Sequence, residues 1–149
     1  MGTTAAEHEG FVLDVSGYLF RLTTECLRLF SNETNEHQTL VSLVAARLAE
    51  PGAAGRHEVR TMREHFAAIP THGDVKIRLP LSDANAQALE EMRQALGRRL
   101  DTTLTIGDAL SALLFDYVVE LKTSQILDRL SLEQRLDGGE PGRTSTRLN

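Results

Sequence analysis

The sequence predicts a mainly α-helical chain with one clear β-strand, whose mate is the same strand of a second copy in a homodimer. Three observations carry this. Val75, Ile77, Leu79 and Leu81 are apolar, while Lys76, Arg78 and Pro80 stand between them, a period of two that marks a half-exposed strand. The stretches on either side repeat their apolar residues every three or four positions, the helical period. A lone strand also leaves its backbone N–H and C=O groups without partners, and a copy of itself satisfies them.

Taken in order, residues 1–8 are small and polar and are expected to fray. Phe11, Val15, Tyr18, Leu19, Leu22, Cys26, Leu29 and Phe30 describe an amphipathic first helix ending near Ser31 and Asn32. A second helix carries Leu40, Val41, Val44, Ala45 and Leu48, with Pro51-Gly52 as its stop. The run Pro-Gly-Ala-Ala-Gly-Arg over 51–56 is a linker. Val59, Met62, Phe66 and Ile69 share one face of a short third helix stopped by Pro70, and a turn over 71–74 leads into the strand. Ser82 and Asp83 have the chemistry of a helix start. The helix behind them places Ala86, Leu89, Met92 and Ala95 or Leu96 inward and ends at Gly97, leaving Arg98–Leu104 as a loop. Thr105 with Asp108 is a capping-box-like start for a strongly apolar helix through Leu110, Leu113, Leu114, Tyr117 and Leu121. Its periodicity continues through Ile126, Leu127 and Leu130, and the Gly-, Pro- and Thr-rich end is a disordered tail.

Composition bounds the function. The 149 residues carry a formal charge of -5, so bulk electrostatics give no argument for nucleic acid and only local basic patches count. Cys26 is the one cysteine, which excludes an internal disulfide and suits a reducing cytoplasm, with the thiol packed as core. No apolar run approaches the roughly 20 residues a membrane helix needs, and the first residues lack a basic then apolar leader pattern, so a soluble cytoplasmic protein without a membrane partner is expected. His8, His37, His57, His65 and His72 do not fall at metal-ligand spacing, Glu90 and Glu91 point apart, and neither Ser16-Gly17 nor Gly107 belongs to a phosphate-binding loop or nucleophile elbow. No catalytic constellation, metal or cofactor is therefore expected.

The order of strand, Ser-capped helix, glycine turn and Ala/Leu-rich helix over residues 75–121 resembles the ribbon-helix-helix family of DNA-binding proteins. The likeness rests on RLPLS, on Leu89, Met92 and Leu96 at fixed offsets from Ser82, on Gly97, and on LLFDYV near the end of the last helix. It implies a fold with a helical N-terminal region followed by a ribbon-helix-helix unit whose strand pairs across a homodimer. It also implies a function: a repressor acting in transcription regulation, or an accessory factor on plasmid or other mobile-element DNA, setting its ribbon into the major groove of double-stranded DNA.

On this resemblance Lys76, Arg78 and Pro80 contact bases, and Arg98, Arg99, Thr103 and Thr105 contact phosphates. Ile77, Leu79, Leu81, Leu89, Met92, Leu110, Leu113 and Leu114 form the dimer core. The loop after Gly97 is a few residues longer than the family's usual turn, and over 72–122 six Lys/Arg face eight Asp/Glu, a net of -2. The same cations would also serve simply to keep an exposed ribbon from aggregating, and Arg98 and Arg99 to complement the negative end of a helix.

The expected organisation is a helical N-terminal region over 1–70 for oligomerisation or partner binding, a ribbon-helix-helix domain over 71–123, a helical extension over 124–136 and a tail over 137–149. Two alternatives stand beside it. Residues 9–69 could bind a protein partner while the ribbon serves mainly to dimerise. Alternatively Phe11-Val12-Leu13-Asp14-Val15-Ser16, followed by two helices, is a degenerate second unit that makes the chain a tandem pseudo-dimer, although its outward position is Asp14 and its turn lacks glycine.

Overall fold

The computed structural model describes residues 10–50, 52 and 55–137, so the expected frayed start, the stop at Pro51 and the tail beyond Asp137 lie outside the described residues. Strand β1 (Phe11–Val15) is followed by helices α1 (Gly17–Thr34), α2 (Leu40–Leu48) and α3 (Val59–Ala68), then strand β2 (Val75–Leu79), α4 (Asp83–Leu100) and α5 (Ile106–Asp137). The described residues are thus mainly helical with one two-stranded antiparallel sheet.

Residues 11–15 are a strand and not the start of the first helix. Phe11 and Val15 fit a helical period, but Leu13 and Val15 are buried while Val12 and Asp14 are exposed, and Val75–Leu79 shows the same inside-outside alternation. Ser16 then starts α1, its hydroxyl accepting from Leu19 N at 3.0 Å.

The mate of β2 is β1 of the same chain, which corrects the expected pairing across a homodimer. Phe11 lies opposite Leu79, Val12 opposite Arg78, Leu13 opposite Ile77, Asp14 opposite Lys76 and Val15 opposite Val75. The two five-residue stretches satisfy each other's backbone groups, so the ribbon needs no second copy. Gly10 enters β1 at φ +54°, where a Cβ would sit 2.0 Å from the Leu79 carbonyl oxygen. Only glycine permits that approach of the two backbones.

Around the ribbon the chain repeats itself. Ser16 caps α1 and Ser82 caps α4, each helix has 18 residues, and each ends on a left-handed residue, Asn35 or Asp101. Thr39 and Ser42 form a capping box on α2, and Thr105 and Asp108 exchange the same pair of bonds at the start of α5 (2.8 and 3.0 Å). Ser82, Asp101 and Thr105 each stand 66 residues after Ser16, Asn35 and Thr39. Two β-α-α stretches with the same placement of caps therefore meet strand to strand.

The helix after β2 passes through Gly97 to Leu100, leaving a turn of Asp101–Thr105 and not the longer loop expected. Gly97 is buried in the helix because a Cβ there would come within 2.8 Å of the Thr102 carbonyl oxygen. Arg93 holds the returning turn by donating to the Leu104 carbonyl at 2.9 Å.

The residues expected to form a dimer core are buried within one chain: Ile77, Leu79, Leu81, Leu89, Leu110, Leu113 and Leu114 are inside, and Met92 is partly buried. The first part of α5, up to Tyr117, runs through the core, with Ala109 to Leu114 all at 0% exposure. A second cluster joins Met62 of α3 to Leu96, Leu100, Leu104 and Ala112, with Val59, Phe66 and Phe115 against it. The described residues up to Tyr117 belong to one compact unit, so the boundary expected at 70–74 falls inside it. From Val118 onward α5 belongs to a second unit, where Ile126, Leu127, Leu130 and Leu132 are exposed.

The connection between the two β-α-α units is fastened at both ends. Ser16 N donates to the Thr71 carbonyl at 2.8 Å, the Ser16 hydroxyl donates to the Pro70 carbonyl, and Val15 bridges to His72. Near its start, the buried Asp116 carboxylate accepts from Arg47 (2.9 Å) and Arg56 (2.9 and 3.1 Å) and meets His57 Nε2 at 2.7 Å. His65 Nε2 lies 2.7 Å from the Ser111 hydroxyl. Burial holds the His65 pKa below its ordinary 6.5, with the Ser111 bond opposing.

Three outcomes follow. In the double variant Val12→Cys/Arg78→Cys, oxidation should give a disulfide-bonded species of monomer size on a non-reducing gel; a dimer-sized band would place the ribbon between chains. Asp116→Ala should cost roughly 3–5 kcal/mol in urea unfolding, because it leaves the buried Arg47 guanidinium without its carboxylate and also removes the acceptor of Arg56. As pH falls below about 6.5, the unfolded chain takes up a proton at His65 that the folded chain refuses, so stability falls with pH. The variant His65→Gln should flatten that slope in unfolding measured between pH 7 and 5.

Candidate nucleic-acid interface

The ribbon's alternation divides its side chains by chemistry. Leu13, Val15, Ile77 and Leu79 turn to the helices, and Val12, Asp14, Lys76 and Arg78 turn to solvent. The register makes two cross-strand pairs of the outward four. Lys76 Nζ donates to Asp14 Oδ1 at 2.8 Å, which holds the Asp14 carboxyl below the usual range, first through that hydrogen bond and then through the ammonium charge. Arg78 lies opposite Val12, and its side chain makes no hydrogen bond or ion pair among the described residues.

Of the residues expected to contact bases, Lys76 and Arg78 are exposed on this face, and Pro80 is exposed just past the strand end. Leu81, which follows, is buried and returns its N–H to the Leu79 carbonyl at 2.9 Å. The pairing of Lys76 with Asp14 was not visible to sequence reasoning, because it depends on a strand partner 62 residues away. The signal for it was the alternation of Phe11, Leu13 and Val15 with Val12 and Asp14.

The N-terminus of α5 flanks β1. A hollow beside the ribbon is lined by Val12, Asp14, His72 and Thr71 on one side and by Thr105, Ile106, Gly107 and Asp108 on the other. Gly107 is buried there, and a Cβ on it would press the Thr71 methyl at 2.9 Å. The free N–H groups of a helix start favour an anion. Here Asp108 already takes the Thr105 N–H, and the Thr105 hydroxyl accepts from Asp108 N.

The remaining phosphate candidates spread around the α4–α5 turn. Thr103 and Arg98 are exposed and line a second hollow with Arg93, Gln94 and Thr102. Arg99 is exposed and donates to the His57 carbonyl at 2.6 Å, which ties α4 to the segment before α3. The structure therefore brings Thr105 to the ribbon's flank and Arg98 and Thr103 to the neighbouring turn.

Among the described residues no group of three or more His, Cys, Asp or Glu is placed to hold a metal, and no helix is long and apolar enough to cross a membrane. Cys26 is buried 3.9 Å from the Leu114 carbonyl, and desolvation raises its thiol pKa to about 12, far from a reactive thiolate. Comparison with protein-family models, with curated proteins and with solved structures finds no match to this chain.

Proposed function

We propose that this protein binds double-stranded DNA by setting the outer face of the β1–β2 ribbon into the major groove, as a ribbon-helix-helix protein whose two units lie in one chain. The observation that carries the reading is that face itself: an exposed two-stranded ribbon, of a width the major groove admits, presenting Lys76 and Arg78 outward and flanked by a helix N-terminus. The repeat of Ser cap, 18-residue helix, left-handed end and Thr cap supports it, because two such units with paired strands are what a ribbon-helix-helix body requires.

The chemistry is modest in charge and specific in geometry. Arg78 has the fork of donors that matches guanine O6 and N7, a contact worth about 1–3 kcal/mol of discrimination. Lys76 is held by Asp14, so its charge is largely neutralised within the ribbon. Asp14 works against attraction, since it places a carboxylate on the surface that approaches the duplex.

The test is duplex retention in a mobility-shift assay at rising salt. Binding should weaken as salt rises, Lys76→Ala with Arg78→Ala should remove most of the sequence preference while leaving the fold intact, and Asp14→Asn should tighten binding. Absence of any retained duplex at low salt would sink the reading. A second reading has its own observation: Tyr18 and Phe20 are exposed at 61% and 44% in the first turn of α1, a surface for a protein partner whose binding would be far less salt-dependent.

A further inference from the structure

The antiparallel register centres the ribbon on the Leu13–Ile77 pair. A two-fold axis through that pair would exchange Val12 with Lys76 and Asp14 with Arg78. In a ribbon of two identical strands, the outward pairs on either side of the centre are identical, and the DNA site they read is an inverted repeat. Here the two outward pairs differ. One is Asp14 with Lys76, closed by an ion pair at 2.8 Å. The other is Val12 with Arg78, an exposed apolar group beside a cation with no hydrogen bond or ion pair among the described residues.

We propose that the ribbon reads a directional, non-palindromic duplex site, with Arg78 on a guanine and Val12 on the methyl group of a neighbouring thymine as its determinants. This rests on the DNA-binding reading above. The chemistry of each group fixes its target. A guanidinium fork fits the paired acceptors of guanine in the major groove, and an apolar side chain there meets the one apolar feature of the base edges, the thymine methyl. The Asp14–Lys76 end is internally neutralised, so it adds little attraction and gives the ribbon a second, chemically distinct end. A duplex presented in the reverse direction would set that ion pair on the guanine and leave Arg78 at the wrong step. The connection over 49–74 fixes which strand is which, because both strands belong to one chain.

Selection from random duplex DNA with the full chain, with binding stoichiometry measured on the enriched site, tests this. The expected motif has one conserved G·C pair next to an A·T pair and lacks two-fold symmetry within the footprint of one chain. Two chains on an inverted pair of such motifs give the same answer for each arm. Arg78→Ala should weaken binding to the enriched site about fivefold to a hundredfold and equalise the four bases at the guanine position. Replacing the thymine by deoxyuridine, which lacks the methyl group, should weaken the native chain but leave Val12→Ala unaffected. An inverted repeat occupied by a single chain, or base preferences unchanged in Arg78→Ala, would overturn the proposal while leaving DNA binding standing. So would a chain that binds duplex but enriches no sequence. Failure to retain duplex at all would overturn both readings together.

Discussion

The register that sets Leu13 opposite Ile77 is the constraint on which the rest of the chain depends. A two-stranded ribbon of this length is marginal alone in water and persists only when one face is covered. That face is covered here because Leu13, Val15, Ile77 and Leu79 all turn inward, where Leu19, Leu89 and the apolar run of α5 are buried with them. A slip of one residue in β1 would turn Val12 and Asp14 inward and expose Leu13 and Val15, and the same slip in β2 would bury Lys76 and Arg78, so the pairing and the core specify each other. The same register decides which outward groups meet, and any chemistry of the face begins there.

Pairing within one chain has a topological consequence. The two strands are separated by three helices, and the segment between the units must return to the ribbon without disturbing it. Ser16 serves both tasks at once, capping α1 and holding Pro70 and Thr71 beside the strand end. Gly73 fits the same place because a Cβ would fall within 2.4 Å of the Ser16 Cα. Asp116 secures the start of the connection by gathering Arg47, Arg56 and His57 onto one buried carboxylate of α5. Burying that charge is tolerable only because its cations come with it. The cluster thereby links α2, the connection and α5 in a single geometry, and the β-α-α repeat is held in the one pairing that closes the ribbon.

How far the sequence discloses this depends on whether a signal is local. The strand Val75–Leu79, helix α2, helix α3 and the Thr105–Asp108 cap are legible because each is written in adjacent residues. Strand β1 is not, since over five residues Phe11 and Val15 fit a helical period as well as a strand period, and the helix behind them continues the first pattern. The end of α4 is misread for a related reason. Gly97 has the composition of a stop, but the residue that ends the helix is Asp101 at φ 55°, and the glycine is there for close approach to the turn. On the candidate face, the exposure of Lys76 and Arg78 follows from alternation alone. The capture of Lys76 by Asp14 does not, because only the tertiary register brings those residues together.

The acidic body and the sparsely charged ribbon belong to one economy of recognition on the proposed reading. Sequence-independent attraction grows with the number of phosphates a protein neutralises, and a chain of net charge -5 with one outward lysine already paired neutralises few. Base contacts do not depend on that sum, because they arise from directed hydrogen bonds and apolar contact in the groove. A face with one available guanidinium and one exposed valine therefore loses affinity for every sequence through its charge while retaining discrimination between sequences through its shape. Carrying both strands in one chain makes this division feasible: β1 holds Val12 and Asp14 where β2 holds Lys76 and Arg78, a difference that a ribbon built from two identical copies could not have.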